Sequence, residues 1–163
     1  MISISLQRIN SLLTFSCLVG LGLSLYSYTV EVQVELNKDY QPLCDINSHV
    51  SCTKAFKSEY GKGFGIFDKQ SILYKPNSLF GIMFYSMLGT LALSNSNFVT
   101  LLSMISIAVS NIMSLYFAYI LYFILKDLCI VCVSIYVVNV ANLILIHLKM
   151  KTLKTIEEQE KNK

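Results

Sequence analysis

The chain has 163 residues, of which 54% are hydrophobic and only 14% charged, and its mean hydropathy is +0.56. That is too apolar for an ordinary soluble domain and reads as one small integral membrane domain. The net charge of +3 comes from 13 basic residues spread over a loop and a tail instead of one face, which speaks against nucleic-acid binding.

Ile9 to Val30 carries no charge, and a helix needs about 20 apolar residues to cross a bilayer, so residues 9–30 are the first predicted span. A cleaved signal peptide is the alternative, but the apolar core is longer than usual and no small-x-small cleavage site is apparent. Pro76 to Leu125 is uncharged over 50 residues, too long for one crossing, and Ser94-Asn95-Ser96-Asn97 divides it. This predicts spans at about 78–93 and 98–125. After the charged pair Lys126-Asp127, residues 128–148 run uncharged again and form the fourth.

Backbone groups in lipid must be satisfied internally. The expected fold is therefore all-α: an integral membrane four-helix bundle, residues 1–148 forming a single domain, with a long loop at 31–77 between helices 1 and 2. Gly20, Gly22, Ser103, Ser106 and Ser110 suit close helix contact. Residues 149–163 hold five lysines and three glutamates and read as a solvated, frayed tail. Counting crossings puts the loop and the Lys126-Asp127 turn on one side of the membrane, where their cysteines can meet. The other side receives Arg8, the Ser94–Asn97 turn and the lysine-rich tail, and is cytosolic by the positive-inside tendency.

Five cysteines admit a disulfide framework, a metal site or redox chemistry. Cys44 and Cys52 lie in the loop, within LCDINSHVSC, and Cys129 and Cys132 form C-I-V-C at the start of the fourth span. A Cys-x-x-Cys at a helix start puts both sulfurs on nearly one face. It also sets Cys129 at the positive end of the helix dipole, where unpaired N–H groups stabilise a thiolate, and Asp127 is placed to cap that helix. A thiolate is what each step of disulfide exchange requires. Zinc binding competes, but the seven-residue gap between Cys44 and Cys52 and a site at the bilayer edge count against it. A structural staple in the loop, with the intramembrane pair as packing, is a third reading. Cys17, without a partner in mid-span, reads as packing.

Tyr136 follows Cys132 at i+4 and shares its face. A phenol among aliphatic residues can donate to a carbonyl oxygen, so such a pocket suits a lipid-soluble quinone. Asn77, just before the second span, either converges there or caps the second helix. Phe56, Phe64, Phe67 and Phe80 either wall the pocket or anchor the loop to the membrane.

The ordered motifs LCDINSHVSC, KGFGIF, PNSLFG and DLCIVC-x-x-x-Y together resemble the vitamin K epoxide reductase family, over about residues 10–148. The resemblance implies a four-helix protein of the endoplasmic reticulum membrane, with both termini cytosolic and loop 31–77 luminal. Its implied activity is reduction of vitamin K 2,3-epoxide to the quinone, and of the quinone to the hydroquinone used in gamma-carboxylation of glutamate. It further implies that Cys129 and Cys132 are the active-site pair, with Cys132 facing substrate. Cys44 and Cys52 become the shuttle pair, carrying electrons from a luminal thioredoxin-fold oxidoreductase of the protein disulfide isomerase type to Cys129, through Cys52. Asn77 and Tyr136 match groups that bind the two ends of the substrate's polar ring, where warfarin-type coumarins also bind. Phe56 and Phe80 match pocket walls, and Gly61–Gly65 matches part of the covering loop.

No metal and no tightly bound cofactor are implied. Vitamin K quinone or epoxide is the implied substrate, with a dithiol reductant, membrane lipid around it and a functional link to gamma-glutamyl carboxylase. Two departures stand out: Tyr60 replaces a tryptophan of the vertebrate reductase, and the segment between Gly65 and Ser71 is shorter by a few residues. Two rival functions use the same residues. One is a quinone-dependent thiol oxidase running electrons in the opposite direction, and the other is a four-span scaffold stapled by loop disulfides.

Overall fold

Helix α1 spans Ile2–Leu36, beyond the predicted 9–30 at both ends, because neither flank contains a proline or glycine to stop it. The computed structural model describes residues 2–37, 39–47 and 50–161. In the long loop stands a short helix α2, Cys52–Lys57, followed by single 3-10 turns at Glu59–Gly61 and Gly63–Gly65. Helix α3 is Asn77–Leu91 and α4 is Asn97–Tyr119, the latter running into a π-helical turn at Ile120–Leu125. Helix α5 covers Ile130–Lys161. The described residues contain isolated β-bridges and no strand, so the molecule is all-α, as expected.

Among the described residues, three helical stretches are long and apolar enough to cross a membrane: Ser5–Leu36, Asn97–Leu125 and Ile130–Lys161. Helix α3 packs with them, yet its 15 residues reach only about 22 Å, less than the roughly 30 Å of a hydrocarbon core. Close approach sets α3 against α1. A Cβ on Gly20 would lie 2.4 Å from the Tyr85 ring, and one on Gly81 would lie 2.7 Å from Ser24 Oγ. Gly22, by contrast, has no such neighbour within 4 Å, so only one of the two predicted packing glycines packs. The Ser103 and Ser106 hydroxyls donate to carbonyls of their own helix, Val99 at 2.8 Å and Leu102 at 3.0 Å, which satisfies them without a partner helix.

Two apolar clusters divide the bundle. Leu13, Cys17, Tyr85, Leu88, Ile107 and Ile146 fill one, where Cys17 is indeed packing. The other gathers Val30, Val34, Leu121 and Val131 around Cys44, Cys52 and Cys129. A buried polar chain joins three helices: Tyr85 Oη donates to Asn139 Oδ1 at 2.7 Å, Asn139 Nδ2 to Ser114 Oγ at 2.8 Å, and Ser114 Oγ to the Ser110 carbonyl at 3.0 Å. Polar groups in such a setting must be satisfied by one another, which fixes the register of α3, α4 and α5.

The segment after residue 148, expected to fray, continues α5 as helix to Lys161. Lys149 is 1% exposed and donates to the Ala92 and Ser94 carbonyls at 2.6 and 2.7 Å. It thereby satisfies backbone oxygens that the end of α3 leaves open. Farther on, Glu157 accepts from Lys161 at 2.6 Å and from Asn97 at 3.1 Å. Pairs of this kind turn a charge-rich sequence into a docked helix.

Candidate active site

Val50 pairs with Leu128, and the Ser51 N–H donates to the Leu128 carbonyl at 2.9 Å. This single bridge lays the start of α2 beside the start of α5. Ser51 caps α2, its Oγ accepting from the Lys54 N–H at 3.2 Å, and donates in turn to Asp45 Oδ1 at 3.0 Å. Asp45 also accepts from the Thr53 N–H at 3.1 Å. Partial burial pushes this carboxyl up, but the hydrogen bonds from Thr53, Ser51 and Cys52 outweigh it and hold Asp45 below the ordinary carboxylate value. Cys52 is thereby fixed as the first residue of α2, fully buried and joined to Cys44 in a disulfide.

The α4–α5 reversal delivers the second pair. The π-helical turn closes on Lys126, whose φ of 49° is left-handed, and Asp127 N–H donates back to the Leu121 carbonyl at 3.1 Å. Asp127 does not cap α5 as expected. It stands too early, its carboxylate is buried, and Lys54 Nζ faces it at 3.7 Å. Cys129 takes the capping place: its carbonyl accepts from Val133 N–H at 3.0 Å and its sulfur from Cys132 N–H at 3.3 Å. A sulfur at that position, facing the helix dipole, is stabilised as thiolate. Cys129 Sγ lies 3.8 Å from Cys52 Sγ. All four cysteines singled out in the sequence therefore converge, with Cys129 and Cys132 as free thiols.

Beyond them opens a cavity of about 510 Å³, lined by Cys132, Tyr136, Asn77, Phe56 and Phe80 together with Phe64 and Phe117. Phe67 does not line it. The Tyr136 hydroxyl is free of hydrogen bonds among the described residues. Asn77 is partly engaged: Nδ2 donates to the Tyr60 carbonyl at 2.6 Å and Oδ1 accepts from the Phe64 N–H at 2.8 Å, leaving one amide hydrogen over. These two bonds hold an unusual backbone. Gly63, Phe64 and Gly65 have φ values of 56°, 58° and 68°, costly for a phenylalanine by about 1–3 kcal/mol. The left-handed run turns the Phe64 ring inward, 4.8 Å from Phe80 and 6.3 Å from Phe117.

Glu31, Ser78, Tyr85 and Asn139, which no sequence pattern singles out, also line the cavity. Glu31, the first residue of the loop predicted at 31–77, sits instead inside α1, 3% exposed, with Ser78 Oγ donating to its Oε2 at 2.8 Å. Its only signal was position, as the first charge after the uncharged run that begins at Ile9.

The model of the vitamin K epoxide reductase family matches residues 11–147. Vitamin K epoxide reductase complex subunit 1 of Rattus norvegicus is 41% identical over 133 residues, covering 79% of this chain and 83% of the rat protein. The Mus musculus protein of the same name is 37% identical over 143 residues, covering 85% and 89% respectively.

Proposed function

The chain belongs to the vitamin K epoxide reductase family, and from that premise we propose that it reduces vitamin K 2,3-epoxide to the quinone, and the quinone to the hydroquinone, through a thiol–disulfide relay. The Cys132 sulfur attacks the bound ring, while the Tyr136 hydroxyl and the remaining amide hydrogen of Asn77 donate to oxygens on which charge builds. Phe56 and Phe80 wall the ring. Cys129 then attacks the Cys132 sulfur, closing a Cys129–Cys132 disulfide and releasing product. A dithiol and the epoxide become a disulfide, the quinone and water. Reduced Cys52 reopens the Cys129–Cys132 bond, and the resulting Cys44–Cys52 disulfide is reduced from outside by a thioredoxin-fold oxidoreductase of the protein disulfide isomerase type. In this reading the loop is luminal, the membrane is that of the endoplasmic reticulum, the termini are cytosolic, and the hydroquinone serves gamma-glutamyl carboxylase.

One observation carries the proposal: Cys129 touches the loop disulfide at Cys52, 3.8 Å away, while its partner Cys132 opens on an apolar cavity. Electrons thus have a path from a solvated loop to a membrane-soluble substrate. The pairing seen, loop oxidised and active-site thiols free, is the state in which substrate is attacked. The test is purified protein with vitamin K epoxide and a small dithiol. Wild type is expected to form quinone and Cys132→Ser none. Quinone-driven disulfide formation without epoxide turnover would assign the opposite electron direction.

A further inference from the structure

Glu31 is the one carboxyl group among the described residues that line this largely apolar cavity. Its Oε2 accepts from Ser78 Oγ at 2.8 Å, but its Oε1 is buried with no hydrogen-bond partner among the described residues. Lys62, the loop cation that could serve it, pairs with Glu35 instead. The next residue inward, Val30, packs in the cluster that contains Cys52 and Cys129 and is flanked by Cys132 and Tyr136. Glu31 therefore stands at the level of the reacting cysteines, and both Cys132 and Tyr136 share its cavity.

An unpartnered carboxylate oxygen in such a place is costly unless it carries a proton or receives one from an occupant. The substrate assigned above settles which. The oxygens of a quinone epoxide are all acceptors, so it can offer Oε1 no donor and would be repelled by an ionised carboxylate.

We propose that Glu31 is a further catalytic residue, an acid whose carboxyl proton is given to the substrate oxygen as the epoxide opens. The inference rests on the reductase reading and deepens it. In the balanced step, the Cys132 sulfur bonds to an epoxide carbon, that carbon–oxygen bond breaks, and the oxygen keeps the electron pair and takes the Glu31 proton. Glu31 recovers the thiol proton of Cys132. Cys129 then attacks the Cys132 sulfur, the carbon–sulfur pair becomes the ring double bond, and the hydroxyl departs with the Cys129 thiol proton as water. Two thiols are oxidised to a disulfide, the epoxide is reduced to the quinone, and Glu31 ends as it began.

Single-turnover epoxide reduction by fully pre-reduced protein tests this without involving the loop relay. Glu31→Gln keeps the shape and a donor to the oxygen but has no proton to transfer. Its rate is expected to fall about 100-fold, the lower end of what acid–base catalysis contributes, with half-saturation within about threefold of wild type. Glu31→Asp, which retains an acid, is expected to stand clearly above the glutamine variant. A glutamine variant at wild-type rate overturns the proposal, as does an aspartate variant that falls as far as the glutamine one, which would show that a retained acid restores nothing. If wild type itself does not turn over epoxide, the reductase reading fails and this inference falls with it. If wild type turns over and only the variants behave as wild type, the reductase reading stands and Glu31 alone is excluded.

Discussion

Cys129 holds two positions at once, the cap of α5 and the neighbour of Cys52. The Cys132 N–H that donates to its sulfur favours the nucleophilic form, and the 3.8 Å gap leaves the loop disulfide in reach of that nucleophile. Cys132→Ser deprives Cys129 of its own partner, so once Cys129 attacks the loop disulfide it is expected to stay trapped in a bond to Cys52, with Cys44 freed. Disulfide mapping by mass spectrometry of the variant reads this directly, and an intact Cys44–Cys52 bond with a free Cys129 would break the relay. Tyr136 presents an unengaged hydroxyl to the cavity. Its loss should leave the unfolding temperature unchanged while costing about 3–4 kcal/mol of transition-state stabilisation, roughly 100- to 1000-fold in kcat. Turnover by Tyr136→Phe near the wild-type value would remove that hydroxyl from the chemistry.

The covering loop keeps its shape through a few ties. Asn77 links the first turn of α3 to the Tyr60 carbonyl and the Phe64 N–H, and so restrains a backbone that would otherwise relax from its left-handed turn. Asn77→Ala is expected to speed proteolysis around residues 59–65 several-fold and to raise KM, as Phe64 swings out of the cavity; unchanged cleavage would show that the loop holds itself. The disulfide end of the loop depends on Asp45 as an anion. Its carboxyl lies below the ordinary value, so this support is complete above about pH 4, the unfolded carboxylate value, and is lost as pH falls through the folded value. Protease cleavage of residues 44–52 should therefore accelerate only in acid, and Asp45→Asn should show the accelerated rate already at neutral pH.

At the scale of the whole molecule, Lys149 closes the bundle about 30 Å along α5 from Cys129, counting helical rise. Replacing it by methionine leaves the Ala92 and Ser94 carbonyls without their donor. That is expected to cost on the order of 2 kcal/mol, seen as a lower unfolding temperature with kcat per folded molecule unchanged. Such long-range ties explain what could be read in the sequence and what could not. Uncharged runs announce helices, and the i+4 spacing of Cys132 and Tyr136 places both on the cavity. No periodicity announces the Val50–Leu128 bridge that brings Cys52 to Cys129; counting crossings puts the two cysteine pairs on one side, and only the motif resemblance pairs Cys52 with Cys129. Charge misled at three points. Glu31 and Lys149 looked solvated but are buried, and Asp127 looked like a cap while Cys129 does the capping. In each case a tertiary partner, invisible to local pattern, decided the side chain's surroundings.

The shortness of α3 reaches beyond the protein into the lipid around it. A helix of about 22 Å beside three long ones leaves hydrophobic mismatch on one flank of the bundle, which a bilayer accommodates by thinning locally at a modest free-energy cost per ångström. That cost is smaller in a bilayer of about 27 Å than in one of about 32 Å, the difference between endoplasmic reticulum and plasma membrane. Reconstituted in phosphatidylcholines of increasing acyl length, the protein is expected to unfold at progressively lower temperature as the bilayer thickens. Helix length by itself would then act as a sorting cue, biasing the molecule toward thin membranes.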